Sequence, residues 1–392
     1  MTRLSDPFDP AFLQAFGISR LGDITGLDTL GIPVWFAVRP NARSLSVSQG
    51  KGLSEYQAKI SAVMESIEGA VAEQTRQHVV NFASINDMER SGGAIVPLAE
   101  LARVHAAKLD RDAERAWVEG RSLVTGAPVS APYELVGLDM RMKFPWDRES
   151  FQMTSQGLGA HFDRDLALRH ALLELTEQDG SVSLDMFGLM DGRIREVTGY
   201  EGADARLDAA LALLRSAGQE MRFLSLPGRF GLPVIAAVMS RKVGGRSGQL
   251  ERTPGGTSCR LTIHDAMVSA LLEAAQSRLT DIAGSRDDIP ADRYRKHSKG
   301  MITQSCKTIS LSDLQKQYAQ GPVRDDPDWR QIVDKLLAAG AGDVWMFDLK
   351  TPVEGVHVVR VLASGLEASG GIFDEIPASS FLFRPESMGE PV

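Results

Sequence analysis

Hydrophobic and polar positions along this chain follow two periods, and the switches between them mark out its elements. After a lead-in of turn residues around Phe8, Phe12, Phe16 and Ile18, the run from Val34 to Val38 has the length and the β-branched and aromatic content of a strand. A strand and turn ending in Gly50, Lys51 and Gly52 follow, and a helical period then predicts a helix over 60–83. A short amphipathic helix is expected over 98–109, a hairpin over 117–129 and a strand over 133–138. A glycine-rich connection over 156–161 leads into a helix with Asp163 or Asp165 as its N-cap. Small residues over 257–262 lead in the same way into another helix, which runs to a charged turn over 281–288. The pattern also predicts helices over 203–217 and 328–339 and strands over 221–225, 233–239, 343–349 and 356–362. Residues 289–330 read as irregular and polar, and a tail over 371–392 with Pro377, Pro385 and Pro391 reads as extended chain.

Three of the helical stretches repeat one another. Ser61-Ala-Val-Met-Glu65 is followed three residues on by Glu68, Ala171-Leu-Leu-Glu174 by Glu177, and Ala270-Leu-Leu-Glu273 by Gln276. Positions i and i+3 share one helix face, so Glu65 with Glu68 and Glu174 with Glu177 present paired carboxylates beside residues apolar enough to be buried. Two carboxylates about 4 Å apart repel by roughly 4 kcal/mol at an effective dielectric near 20, against about 0.3 kcal/mol on an exposed helix. Paired acids at the margin of a core therefore call for a cation, and Mg²⁺, which takes one or two carboxylates together with phosphate oxygens, suits them. An ordinary solvated helix face is the alternative. Gly50-Lys51-Gly52 just ahead of the first such helix suits phosphate binding, with glycines permitting close backbone approach and Lys51 as a point charge, although the spacing is not that of a P-loop.

Composition narrows the class. The chain has 392 residues and is 43% hydrophobic and 24% charged, enough for a large core. A net charge of −8 argues against general nucleic-acid binding. No apolar run is long enough to cross a bilayer and the start is not a signal peptide, so a cytoplasmic protein is expected. The two cysteines, Cys259 and Cys306, have no metal-ligand spacing and read as small buried side chains or, alternatively, as nucleophiles. No low-complexity linker divides the chain, so one large α/β domain built from related helix-bearing blocks is expected: a lead-in over 1–49, a catalytic domain over 50–370 and a tail over 371–392.

These blocks resemble the YcaO family. The resemblance covers roughly residues 18–370 and is most specific in the third block, where Glu273-Ala-Ala-Gln276-Ser-Arg278 runs on to Gly284-Ser-Arg286-Asp-Asp288. It implies ATP- and Mg²⁺-dependent O-phosphorylation of a peptide backbone amide, followed by displacement of the phosphate. A neighbouring Cys, Ser or Thr side chain would give an azoline. External sulfide, with a TfuA-like partner and a sulfur donor, would give a thioamide. It places Glu65, Glu68, Glu174 and Glu177 at metal positions and Lys51, Ser61, Arg278 and Arg286 at ATP positions, and it leaves a homodimer open. The chain departs from the family pattern at Gly69 and Gln178, where Arg is common, and at Phe162 and Leu166, where Asn and Glu are. Those departures motivate another reading, a peptide-binding scaffold without catalysis.

Overall fold

A computed structural model describes residues 6–141, 146–187, 192–241, 254–286, 306–318 and 328–367. In chain order the elements are α1 (Pro10–Ala15), β1 (Arg20–Asp23), β2 (Val34–Val38), β3 (Val47–Lys51), α2 (Glu55–Ala72), α3 (Thr75–His78), β4 (Val79–Ala83), α4 (Ile85–Arg90), β5 (Arg115–Ser122), β6 (Pro128–Pro132), α5 (Tyr133–Val136), β7 (Leu158–His161) and α6 (Arg164–Phe187). Then come β8 (Arg195–Thr198), α7 (Ala205–Ser216), β9 (Gln219–Ser225), β10 (Val234–Arg241), β11 (Gly255–Cys259), α8 (Ile263–Ala283), β12 (Lys307–Ser310), α9 (Leu311–Gln317), α10 (Asp328–Ala338), β13 (Val344–Leu349) and β14 (His357–Ala363).

The strands form three sheets, ordered β1-β2-β3, β4-β5-β13-β14-β7 with β6 also paired to β5, and β11-β10-β9-β8-β12. The strands β3, β7 and β11 thus each lie at the edge of a different sheet, and each runs directly into one of the three long helices. In every case a glycine lets strand and helix touch. A Cβ on Gly50 would overlap the α2 backbone at Ala58, Ser61 and Ala62; on Gly159 it would meet Ala167 and Ala171 of α6, and on Gly256 it would meet Ala270, Glu273 and Ala274 of α8. The small residues expected to bury these helices do so, with Ala62, Ala171 and Ala270 all at 0% exposure.

The three units also interlock in a cycle, since α2 packs on β7 of the second unit, α6 on β11 of the third and α8 on β3 of the first. Apolar cores fill the spaces between sheets and helices, one around Ile67, Trp117 and Leu158, one around Leu172, Val234 and Val361, and one around Leu211, Phe223 and Leu271.

Four expectations are corrected. The helix over 60–83 begins earlier and ends sooner: Ser54 caps α2 by accepting from the Gln57 N–H at 3.3 Å, and Glu73 at its C-cap turns into an ion pair with Arg39. Beyond it come the short helix α3 and then edge strand β4, where Val79, Val80 and Phe82 suit a pleated surface better than a helix. Over 98–109 there are two single 3₁₀ turns, because buried Arg103 between them donates to the Leu135 carbonyl at 3.0 Å and Val104 bridges Phe151, committing that backbone to distant partners. Residues 133–136 form the helical turn α5, held by the Tyr133 hydroxyl on the Ala72 carbonyl at 2.8 Å; a fully buried apolar run has no period to tell strand from helix. Within 289–330, β12 and α9 are regular structure, while 287–305 and 319–327 fall outside the described residues, as does the tail.

Candidate active site

The cyclic packing carries the repeated acids from each helix to the strand of the next unit. On α2, Glu68 accepts from the Ala160 N–H of β7 at 2.9 Å. On α6, Glu177 accepts from the Thr257 hydroxyl at 2.9 Å and from the Cys259 N–H at 3.2 Å, both on β11. On α8, Glu273 forms an ion pair with Lys51 of β3. Ala160, Thr257 and Lys51 each follow the glycine of their strand, so the three contacts are equivalent by position.

Glu65, Glu68, Glu174 and Glu177 lie within electrostatic reach of one another and of Lys51, with which Glu273 pairs, and the space they share is the recess. Lys51, Glu65, Glu68, Glu174, Glu177 and Glu273 are all half-buried, with solvent touching each. The surrounding protein desolvates Lys51, Glu68, Glu174 and Glu177. Desolvation, followed by repulsion from Glu65, pushes the Glu68 carboxyl up to about 8. Glu174 is raised well above the carboxylate range by desolvation and then by Glu68 and Glu177. Glu177 is raised by desolvation against the opposing pull of Arg260 and its two hydrogen bonds. Desolvation lowers the Lys51 amine despite the pull of Glu65 and Glu177. Among the described residues, no N–H or O–H donates to Glu174.

A desolvated, unpartnered carboxylate beside three others is a donor set for a hard cation. Among the described residues, no group of three or more His, Cys, Asp or Glu side chains is arranged to hold a metal ion by itself. Ser61 stands one turn before Glu65 on α2 and is half-buried against Gly50.

Arg278 turns away from Glu273 on its own helix. Five residues beyond Glu273, Arg278 is rotated by roughly 140° about the helix axis, and its guanidinium grips Asp28 at 2.6 and 3.2 Å. Arg286 is half-buried beyond the left-handed Gly284 that ends α8, and Asp287 and Asp288 fall outside the described residues. Gly50 and Gly52 are occupied in holding β3 against α2 rather than opening a backbone cradle. The space beside Gly69 is filled by the guanidinium of Arg39, a residue 3% exposed. Gln178 accepts from the Gln156 amide, Phe162 packs on the core near Phe12, and the Leu166 N–H is capped by Asp163. Burial pushes the Cys259 thiol far up, which removes it as a nucleophile.

Sequence reasoning missed three cations. Arg360 on β14 is fully buried, donates to the carbonyls of Val136, Thr154 and Gln156, and sends its charge toward Glu174 and Glu68. Arg103 lies behind it. Arg260, one residue past β11, acts on Glu177, Lys51 and His170. A lone Arg in a strand such as Val358–Leu362 was the available signal for the first. His170 is reached by solvent, yet enclosure by protein, together with Arg260 and Lys51, lowers its imidazole to about 4.

Comparison with known proteins fits this arrangement. An uncharacterised protein from the tfuA 3′ region of Rhizobium leguminosarum bv. trifolii is 30% identical over 363 residues, covering 91% of this chain and 85% of the relative. An uncharacterised Mycobacterium tuberculosis protein is 31% identical over 364 residues, covering 91% and 80%. The fold matches YcaO from Methanopyrus kandleri bound with AMPPCP and Mg²⁺, with a TM-score of 0.68 at 22% identity over 96% of this chain and 97% of that one. It also matches a heterocyclase in complex with substrate and cofactor, with a TM-score of 0.67 at 18% identity over 94% of this chain and 54% of that one. The model of the ATP- and Mg²⁺-binding YcaO cyclodehydratases matches residues 49–367, and the chain belongs to that family.

Proposed function

We propose that this protein uses ATP and Mg²⁺ to activate a peptide backbone amide, and that the activated amide is converted to a thioamide with a TfuA-like partner. The observation that carries the reading is Glu174, a desolvated acid without a donor among the described residues, set beside Glu68, Glu65 and Glu177 in one recess. Glu65, Glu68, Glu174 and Glu177 would hold the metal, and Lys51 and Ser61 would face the nucleotide. When bound, Mg²⁺ neutralises phosphate charge and ATP supplies the phosphoryl group. The amide oxygen attacks the γ-phosphorus and the bond to the β-phosphate oxygen breaks, releasing ADP. Hydrosulfide then adds to the carbon of the N-protonated imidate, the C–O bond breaks, the phosphate leaves with the proton from sulfur, and the amide nitrogen keeps its own proton. The named neighbourhood of the Rhizobium relative favours sulfide as the nucleophile. An adjacent Cys, Ser or Thr side chain in its place would give an azoline.

The test supplies ATP, Mg²⁺, partner and peptide and follows ADP release and peptide mass. Sulfur in place of oxygen supports the thioamide, and loss of water supports the azoline. If Glu65→Gln and Glu174→Gln retain full nucleotide turnover, the site is assigned wrongly. The competing scaffold rests on the departures from the family pattern at Gly69, Gln178, Phe162 and Leu166; tight peptide binding without ATP binding in calorimetry would favour it.

A further inference from the structure

The evident cation of the recess is already engaged, since Lys51 is paired with Glu273. Arg260 differs. Its Nη1 donates to the Cys259 carbonyl at 2.7 Å and its Nη2 to the Ser269 hydroxyl at 2.6 Å. Both acceptors are neutral, and among the described residues the guanidinium meets no carboxylate. Of its five N–H donors two are used, which fixes the plane of the group and leaves three donors available. The side chain is half-buried, and its charge reaches Glu177, Lys51 and His170, which places it on the recess. An arginine anchored by backbone and hydroxyl, with no carboxylate at ion-pair distance among the described residues and half-buried beside a set of acids, is preorganised for an anion with several planar oxygens.

The geometry points to Arg260 as a phosphate-binding residue of the nucleotide, holding phosphoryl oxygens from the β11 side while the acids of α2 and α6 face the metal. This rests on the reading of the recess as an ATP site. Ser269, on α8 one turn before Glu273, serves as its positioning residue, so the third unit contributes an anion contact where the first two contribute acids.

The experiment is calorimetric titration of the full chain with ATP, ADP and adenosine in Mg²⁺, for wild type, Arg260→Gln and Arg260→Lys, with metal-free thermal unfolding of each. Loss of one charge-assisted contact is expected to weaken ATP binding about 10- to 100-fold in Arg260→Gln. Adenosine affinity should stay within about twofold of wild type, and Arg260→Lys should fall between the two, because it keeps the charge without the fork. The assignment is overturned if Arg260→Gln binds ATP as wild type does, or if ATP and adenosine weaken equally. Should Arg260→Gln fail to fold, Arg260→Lys decides alone: ATP affinity unchanged, or reduced in step with adenosine, overturns the assignment, and selective weakening of ATP supports it. A wild-type protein that binds no ATP refutes the ATP site itself, a result distinct from any of these.

Discussion

Replacing Glu68 by Gln removes a titrating carboxyl while keeping an oxygen to accept from the Ala160 N–H, so it isolates the electrostatic strain of the recess. The carboxyl lies at about 8 in the folded protein against an ordinary value of 4.5, with desolvation first and Glu65 second as causes. The folded state therefore holds a proton on Glu68 that the unfolded chain has released, and stability contributed by this group is complete below 4.5 and is lost as pH rises toward 8. At roughly 1.4 kcal/mol per pH unit, the loss at pH 7 is up to about 3 kcal/mol. Metal-free wild type should thus become less stable between pH 5 and 8 in urea titrations, whereas Glu68→Gln should show a shallower slope and exceed wild type by a few kcal/mol near pH 8. Mg²⁺ with ATP should reverse the order, stabilising wild type and leaving the variant nearly unchanged, as mass action requires for a ligand bound by the native state. A wild-type stability flat across this range, or a variant no more stable than wild type at pH 8, would refute the picture of acids held together at the expense of stability.

Two further outcomes follow from the packing. Arg39 and Glu73 form an ion pair at 2.7 Å with 3% and 4% exposure, so Arg39→Met strands a buried carboxylate and should destabilise by about 3–5 kcal/mol in chemical denaturation, with the double replacement Arg39→Met, Glu73→Leu recovering most of the loss. Gly256→Val would force β11 away from α8, where a Cβ lies 2.6 Å from the Ala270 carbonyl oxygen and the Ala274 nitrogen. A loss of about 1–3 kcal/mol is expected, accompanied by loss of nucleotide-dependent stabilisation measured by thermal shift.

The sequence by itself determined the units. Small residues leading to an acid, with a second acid or amide three positions on, specify a helix with one buried and one acidic face, because helical periodicity is a local property readable over a single turn. Strand β2 at Val34–Val38 and the Asp163 cap of α6 were equally legible, since alternation, β-branching and capping act between near neighbours.

Tertiary structure decided how the units meet. That Glu68 belongs to β7, Glu177 to β11 and Glu273 to β3 depends on cyclic packing between residues 92, 82 and 222 positions apart, which no local pattern encodes. The same distance hid the roles of Gly50, Gly159 and Gly256, whose missing side chains matter only against a particular helix backbone. It also explains why Arg278, close to Glu273 in sequence, turns away to Asp28, while Arg260 acts on Glu177 and Arg360 on Glu174, acids of other segments: charge acts through space, and only the folded chain fixes which groups share it.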